Sequence, residues 1–212
     1  GSLFKLFTLI TYFRMAEKDS TLFSRQWPLS QHLAPAQAYT TSALSPGQSY
    51  SVKELLFHMI VNNNNDATLL LQQHLNKEQF THIFTDLQLP LPHSLPDTNY
   101  LTTTQQYSRF VSAIYESGYL PLPSSEAAIS LLCQATFKDG IVAGLPAGTV
   151  VAHKHGEAGT LSQPELHETG IIYRNGEPYL ITIMTRGNDM KRQAALMATI
   201  SSQVWEEMNR SN

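Results

Sequence analysis

Met59-Ile60-Val61-Asn62-Asn63-Asn64-Asn65-Asp66-Ala67-Thr68 runs an apolar helical pattern straight into four consecutive asparagines. Asparagine side chains compete for backbone hydrogen bonds and sit poorly inside a helix, so the run predicts a turn between two helices. Upstream, Ser51-Val52-Lys53-Glu54 has the form of a capping box, with Ser51 at the N-cap and Glu54 three residues on. The helix it opens carries Leu55, Leu56, Met59 and Ile60 on one face. Downstream, Asn65 or Asp66 is expected to cap a second helix from Ala67 to about Leu75. A polar turn containing Asn63 and Asn65 is thus held between two helices.

Toward the N-terminus, residues 18 to about 50 are polar, with Pro28, Pro35, Pro46 and Gly47 as breakers. Before them, Leu3, Leu6, Phe7, Ile10 and Phe13 recur at spacings of three and four, predicting an amphipathic helix over residues 2 to about 17. Ser2 and Lys5 lie on its first turn, and a spacing of three places both side chains on one face. A serine hydroxyl becomes a nucleophile when a neighbouring base takes its proton, and a lysine with a lowered pKa can be that base. The helix N-terminus adds backbone N–H groups where an oxyanion would form. Taken alone, Ser-x-x-Lys is common and carries little information.

Toward the C-terminus, three prolines between Leu87 and Pro96 exclude regular helix or central strand. Thr102-Thr103-Thr104 is expected to cap a helix reaching about Ser117, and another helix spans about Ser124 to Thr136. From Val150 the period changes to that of strands. Val150 to His155 forms one strand. Glu168–Tyr173 and Pro178–Thr185 form a hairpin about Asn175-Gly176, the dipeptide preferred in a type I′ turn. The last helix runs from about Asp189 to Met208. The first strand contains Lys154-His155-Gly156. Its glycine would allow close approach to the strand backbone, and its lysine would offer a fixed positive charge.

Composition narrows the function. The chain has 42% apolar and 15% charged residues, as a globular protein does. Its net charge of −3, with no basic cluster, argues against a nucleic-acid partner. No apolar run approaches the roughly 20 residues of a membrane span. The single cysteine, Cys133, excludes an intrachain disulfide and a cysteine-based zinc site, and reads as a small buried hydrophobe. His153-x-His155 would share a strand face but has no third ligand nearby in sequence, so no metal and no cofactor is expected. The chain starts on Gly1 rather than Met and is expected to be a processed or trimmed piece.

Each of the three polar features is weak by itself; their order in the chain is not. Ser-x-x-Lys on an apolar helix, a polar turn ending in Asn, then Lys-x-Gly on the first strand of a terminal meander resembles the serine β-lactamase and penicillin-binding-protein superfamily. The similarity is greatest to class A β-lactamases and extends over essentially the whole chain. It includes Ser45-Pro46-Gly47 ahead of the capping box, the Met59–Thr68 stretch and the Thr102–Thr104 helix start. The resemblance implies an α+β fold of the β-lactamase/transpeptidase type in one domain over 1–212. A mainly helical lobe over 1–149 would carry the nucleophile helix, and 150–212 would supply antiparallel strands and a C-terminal helix. It also implies an N-terminal helix and two strands that this chain lacks. A partner chain or a missing N-terminal segment would then complete the sheet.

Carried over by position, the resemblance makes Ser2 the acylated nucleophile and Lys5 its proton acceptor. Asn65 would bind the substrate amide and Lys5, and Lys154 would orient the proton relay and attract a substrate carboxylate. Asn63, His155, Gly156 and Glu157 would line the substrate site, with the oxyanion hole formed by the N–H groups of Ser2 and Glu157. The implied activity is serine hydrolysis of a small-molecule or peptidoglycan-like amide or ester, in a periplasmic or extracellular bacterial setting. Three departures qualify this. Asn63 stands where the family has a serine that protonates the leaving nitrogen, and an amide cannot act as an acid near neutral pH. Residues 87–96 contain no Asp or Glu where class A enzymes carry the deacylating glutamate, and only Asp86 and Asp97 flank them. His155 replaces a small hydroxyl residue, which would narrow the site. Slow deacylation is therefore expected, as is weak β-lactamase activity. A ligand-binding module that keeps the fold without turnover is the alternative.

Overall fold

Lys5–Ala16 forms the central helix (α1) of a computed structural model that describes residues 1–34, 38–94, 100–174 and 176–210. The turn before it, Ser2–Phe4, is a tighter 3-10 turn. Its spacing reads as amphipathic, yet every residue from Lys5 to Phe13 is buried. The polar members are absorbed locally: Thr11 Oγ1 donates to Phe7 O (2.8 Å), and Thr8 Oγ1 accepts from Gln72 Nε2 (3.4 Å). A helix surrounded on all sides must be reached by its neighbours, and five further helices do this.

These are α2 (Val52–Val61), α3 (Asn65–Gln73), α4 (Lys77–Asp86), α5 (Thr104–Tyr115) and α6 (Leu122–Cys133). The Ser51–Glu54 capping box forms as expected, and a second one forms between Thr103 and Gln106 at the start of α5. The cap of α3 is neither Asn65 nor Asp66. Asn64 takes that place, its side chain accepting from Ala67 N (2.8 Å), and the helix begins at Asn65. Helix α4, capped by Asn76, fills a stretch to which the sequence reading assigned no element.

Two further strands lie inside the stretch read only as polar and broken. Gln26–Leu29 (β1) and Gln48–Ser51 (β2) pair antiparallel, with Trp27 opposite Tyr50. Pro28 fits because a two-stranded ribbon leaves each strand one unpaired edge. The main sheet follows the predicted meander: β3 (Val151–Gly159), β4 (Pro164–Ile172) and β5 (Tyr179–Arg186), in the order β3-β4-β5, all antiparallel. Asn175 lies outside the described residues; its neighbour Gly176 has the positive φ (+84°) that the turn requires. Among the described residues β5 has no second strand beside it, leaving the edge the sequence led us to expect.

Helix α7 (Met190–Arg210) packs on β4, β5 and a short turn at Ile141–Gly144, while α5 and α6 meet β5 and β3. The sheet is therefore covered by helices from two directions, as an α+β layer arrangement demands. One apolar core surrounds α1. A second joins Phe137, Ile141, Leu166, Ile183 and Met197 beneath α7. The cleft between them receives the N-terminal turn, the asparagine turn and β3.

Candidate active site

Aromatic packing fixes the first turn of α1. Phe7 stacks on Phe110 (ring centroids 4.2 Å) and lies 4.7 Å from Phe84, while Phe4 meets Phe80 and Tyr100. Tyr107 on α5 donates its buried hydroxyl to Leu3 O (2.8 Å), which holds the carbonyl just past Ser2. From the other side β3 presses its backbone against this turn. A methyl group added at Gly156 would fall 2.6 Å from Leu3 N and 3.2 Å from Ser2 N. Only glycine fits there, and the Ser2 amide is brought against the Gly156-Glu157 segment.

The two lysines meet on Asn63. Lys5 Nζ donates to Asn63 O (2.8 Å) and Asn63 Oδ1 (3.0 Å). Lys154 Nζ donates to the same Oδ1 (2.7 Å) and to His155 O (2.7 Å). Asn63 achieves this in a left-handed backbone conformation (φ +56°), which asparagine tolerates better than most residues. Residues from α1, the asparagine turn and β3, up to 149 positions apart, thus converge on one amide oxygen. Ser2, Lys5, Asn63 and Lys154 are all buried, at 5%, 4%, 0% and 0% exposure.

Burial controls the charges in this cluster. Desolvation pushes Lys5 well below the ordinary lysine range, and the neighbouring Lys154 adds to the effect against a smaller opposing pull from Glu157. Desolvation also brings Lys154 down to about 7, with Glu157 and Glu168 acting the other way. The His155 imidazole is pushed well down by burial and by the lysines and His153 around it. A neutral Lys5 is what a proton acceptor for a serine hydroxyl requires.

This has a consequence for stability. A lysine that binds its proton less readily folded than unfolded makes folding release protons. Stability then rises with pH between the folded value, about 7 for Lys154, and the unfolded value of 10.5. We expect the midpoint of thermal unfolding to climb between pH 7 and pH 9.5. The slope should approach about 1.4 kcal/mol per pH unit for each such lysine. Calorimetry on Lys154→Met should show a flatter dependence over the same window.

Along β3, residues 153, 155 and 157 share the opposite face. His153 Nδ1 donates to Glu168 Oε1 (2.7 Å), and Glu168 Oε2 accepts from Ile141 N (2.7 Å), all fully buried. His155 is buried rather than facing solvent. It is 2% exposed and packs on Phe137 (ring centroids 4.3 Å). Among the described residues no cluster of three or more His, Cys, Asp or Glu side chains gathers in metal-binding reach. Glu157 is more than a backbone donor. Its carboxylate accepts from Ala38 N and Tyr39 N, both at 3.0 Å. The Tyr39 ring adds a T-shaped contact with Phe137 (4.8 Å), and Thr40 Oγ1 donates to Asn63 O (3.5 Å). Residues 38–40 therefore link β3 to the asparagine turn. No local sequence pattern signals this link, because the partners lie 118 and 119 residues apart.

Asn65, expected to contact Lys5, opens α3 beside this cluster, and the amide that Lys5 is described as meeting belongs to Asn63. Asp86 ends α4 and accepts from Tyr119 OH (3.1 Å), whose ring lies under Arg14. Nine residues of α1 separate Arg14 from Lys5, roughly 14 Å, so Asp86 is remote from the cleft. Asp97 lies outside the described residues. Cys133 is half-buried, and burial raises its thiol pKa, as befits an inert side chain. No described helix is long and apolar enough to cross a membrane.

Comparison with known proteins agrees with the fold. A family model described as "Beta-lactamase enzyme family" matches residues 1–208. Among solved structures, PBP-A superposes with a TM-score of 0.82 at 19% identity, covering 99% of this chain and 80% of that one. A mutant of PBP-A, solved as the acyl-enzyme complex with penicillin G, gives the same score and identity and covers 99% and 81%. A β-lactamase from Francisella tularensis reaches 0.80 at 15% identity, covering 98% of this chain and 85% of that one. No curated protein matches the sequence.

Proposed function

The chain belongs to the β-lactamase enzyme family, and from that premise we propose that it is a serine hydrolase that cleaves an amide or ester through an acyl-enzyme on Ser2. The observation that carries this is the convergence of Lys5 and Lys154 on Asn63 beside the buried serine. Neutral Lys5 takes the Ser2 proton as Oγ attacks the substrate carbonyl. The N–H groups of Ser2 and Glu157, brought together by the Gly156 contact, receive the oxyanion. Asn65 binds the substrate amide, and Lys154 keeps the relay in place.

Two features make the cycle slow. Asn63 Oδ1 accepts from both lysine heads, so a proton bound for the leaving group cannot pass through this residue as it passes through a hydroxyl. Residues 87–96 supply no carboxylate to activate a deacylating water. A small-molecule or peptidoglycan-like substrate, β-lactam or D-Ala-D-Ala-like, is part of the proposal, as is a periplasmic or extracellular location. The PBP-A relative captured as a penicillin G acyl-enzyme shows that this fold can hold such an intermediate. Incubation with benzylpenicillin followed by intact-mass spectrometry tests the reading. A covalent adduct that accumulates and decays over minutes to hours supports it. Rapid hydrolysis with no trapped adduct contradicts slow deacylation. No adduct with penicillins or with activated esters favours the binding module, to which Asn63 and the acid-free segment 87–96 lend weight.

A further inference from the structure

Glu157 directly follows the glycine that packs against the Ser2 turn, and its carboxylate acts on Lys5 and Lys154. Its backbone adjoins the nucleophile turn through Gly156, and its carboxylate is 8% exposed, with Oε1 4.0 Å from His155 Nε2. Among the described residues His155 Nε2 has no hydrogen-bond partner. Lys5 and Lys154 both feel this carboxylate through space, but their hydrogen bonds go elsewhere. Lys5 directs its donors to Asn63, and Lys154 directs two of its three to Asn63 and His155 carbonyl oxygens. A second carboxylate, Glu168, also acts on Lys154 from the His153 side. The groups that Glu157 does bind are two peptide N–H donors, from Ala38 and Tyr39.

Resting on the serine-hydrolase reading, we propose that Glu157 is the specificity-determining residue of this site. It selects esters and amides that carry an ammonium or N–H donor on the acyl group, about one aromatic ring from the scissile carbonyl, and it disfavours substrates with a carboxylate there. A negative charge brought against a part-buried carboxylate is repelled without water to screen it, whereas an ammonium or a pair of N–H groups takes over the bonds now made by residues 38 and 39. Weak activity on penicillins, which carry a carboxylate, then has a cause separate from Asn63.

The test uses three rigid p-nitrophenyl esters of nearly equal size: those of benzoic acid, 4-carboxybenzoic acid and 4-(aminomethyl)benzoic acid. Acylation kcat/KM is read from the nitrophenolate burst. In the wild-type protein the cationic ester should exceed the anionic one by about tenfold or more, the value of a single charge contact in a partly hydrated cleft. In Glu157→Gln the ratio should shrink to about threefold or less. Loosening of residues 38–40 in that variant would change all three rates together and leave the ratio intact, so the ratio isolates the charge. An unchanged ratio in Glu157→Gln, or a wild-type preference for the anionic ester, overturns the proposal. The wild-type ratio needs no variant to fold. A different outcome, no burst with any ester and equal rates in Ser2→Ala, would sink the serine assignment itself and this proposal with it.

Discussion

Replacing Lys5 with Met lowers the rate of Ser2 acylation by about a thousandfold, within the range expected when a general base is removed, while the protein unfolds at the same or a higher temperature. The two halves of this expectation have one cause. Lys5 is 4% exposed, and desolvation dominates the lowering of its pKa. A methionine keeps the unbranched stem and its packing but needs no hydrogen bonds. Asn63 Oδ1 retains Lys154 as a donor when Lys5 is gone. Residues that cost stability and carry activity are characteristic of functional sites. Stopped-flow acylation with an activated ester and a thermal melt measure both halves. A variant that acylates as fast as wild type would remove Lys5 from the mechanism. One that merely unfolds would show that the lysine is structural.

The second large effect concerns Asn63. Asn63→Ser places a hydroxyl between the two lysine heads, and a hydroxyl both donates and accepts. We expect acylation by substrates with amine leaving groups to rise by about 10- to 100-fold, the scale of proton transfer by a positioned acid. Acylation by p-nitrophenyl esters, whose leaving group needs no proton, should change about threefold or less. The backbone sets a cost. Asn63 has φ +56°, and serine is less at ease there, so stability should fall by about 1 kcal/mol. A rise for amides alone identifies proton delivery as the missing step. Equal change for both substrate types would show that the asparagine acts through cleft shape instead.

Much of this molecule can be read from its sequence, for reasons that are local. The Ser51–Glu54 box, the apolar spacing in α1 and the period change at β3 all depend on neighbours within one turn or one strand, and those neighbours are adjacent in the chain. The chemical cluster was legible in a different way, through the order of three short motifs. What could not be read depends on partners far away in sequence. The β1–β2 ribbon hides behind Pro28, because a breaker is tolerated wherever a strand edge faces solvent. Asn64 rather than Asn65 became the cap because four identical side chains offer four equivalent caps, and only the path of the turn chooses among them. Glu157 was expected to contribute its N–H alone. Strand alternation states which face a side chain takes, not that residues 38 and 39 would arrive opposite it. The same holds for His155, whose burial follows from Phe137 and Tyr39 rather than from its own strand.

The central claim is that the Ser2 hydroxyl is the group that becomes acylated. Treatment with a fluorophosphonate, digestion and peptide mapping by tandem mass spectrometry tests it directly, with Ser2→Ala run in parallel. The account predicts a single modified peptide carrying the adduct on Ser2 and no labelling of the variant. Labelling of another residue, or equal labelling of Ser2→Ala, would contradict it.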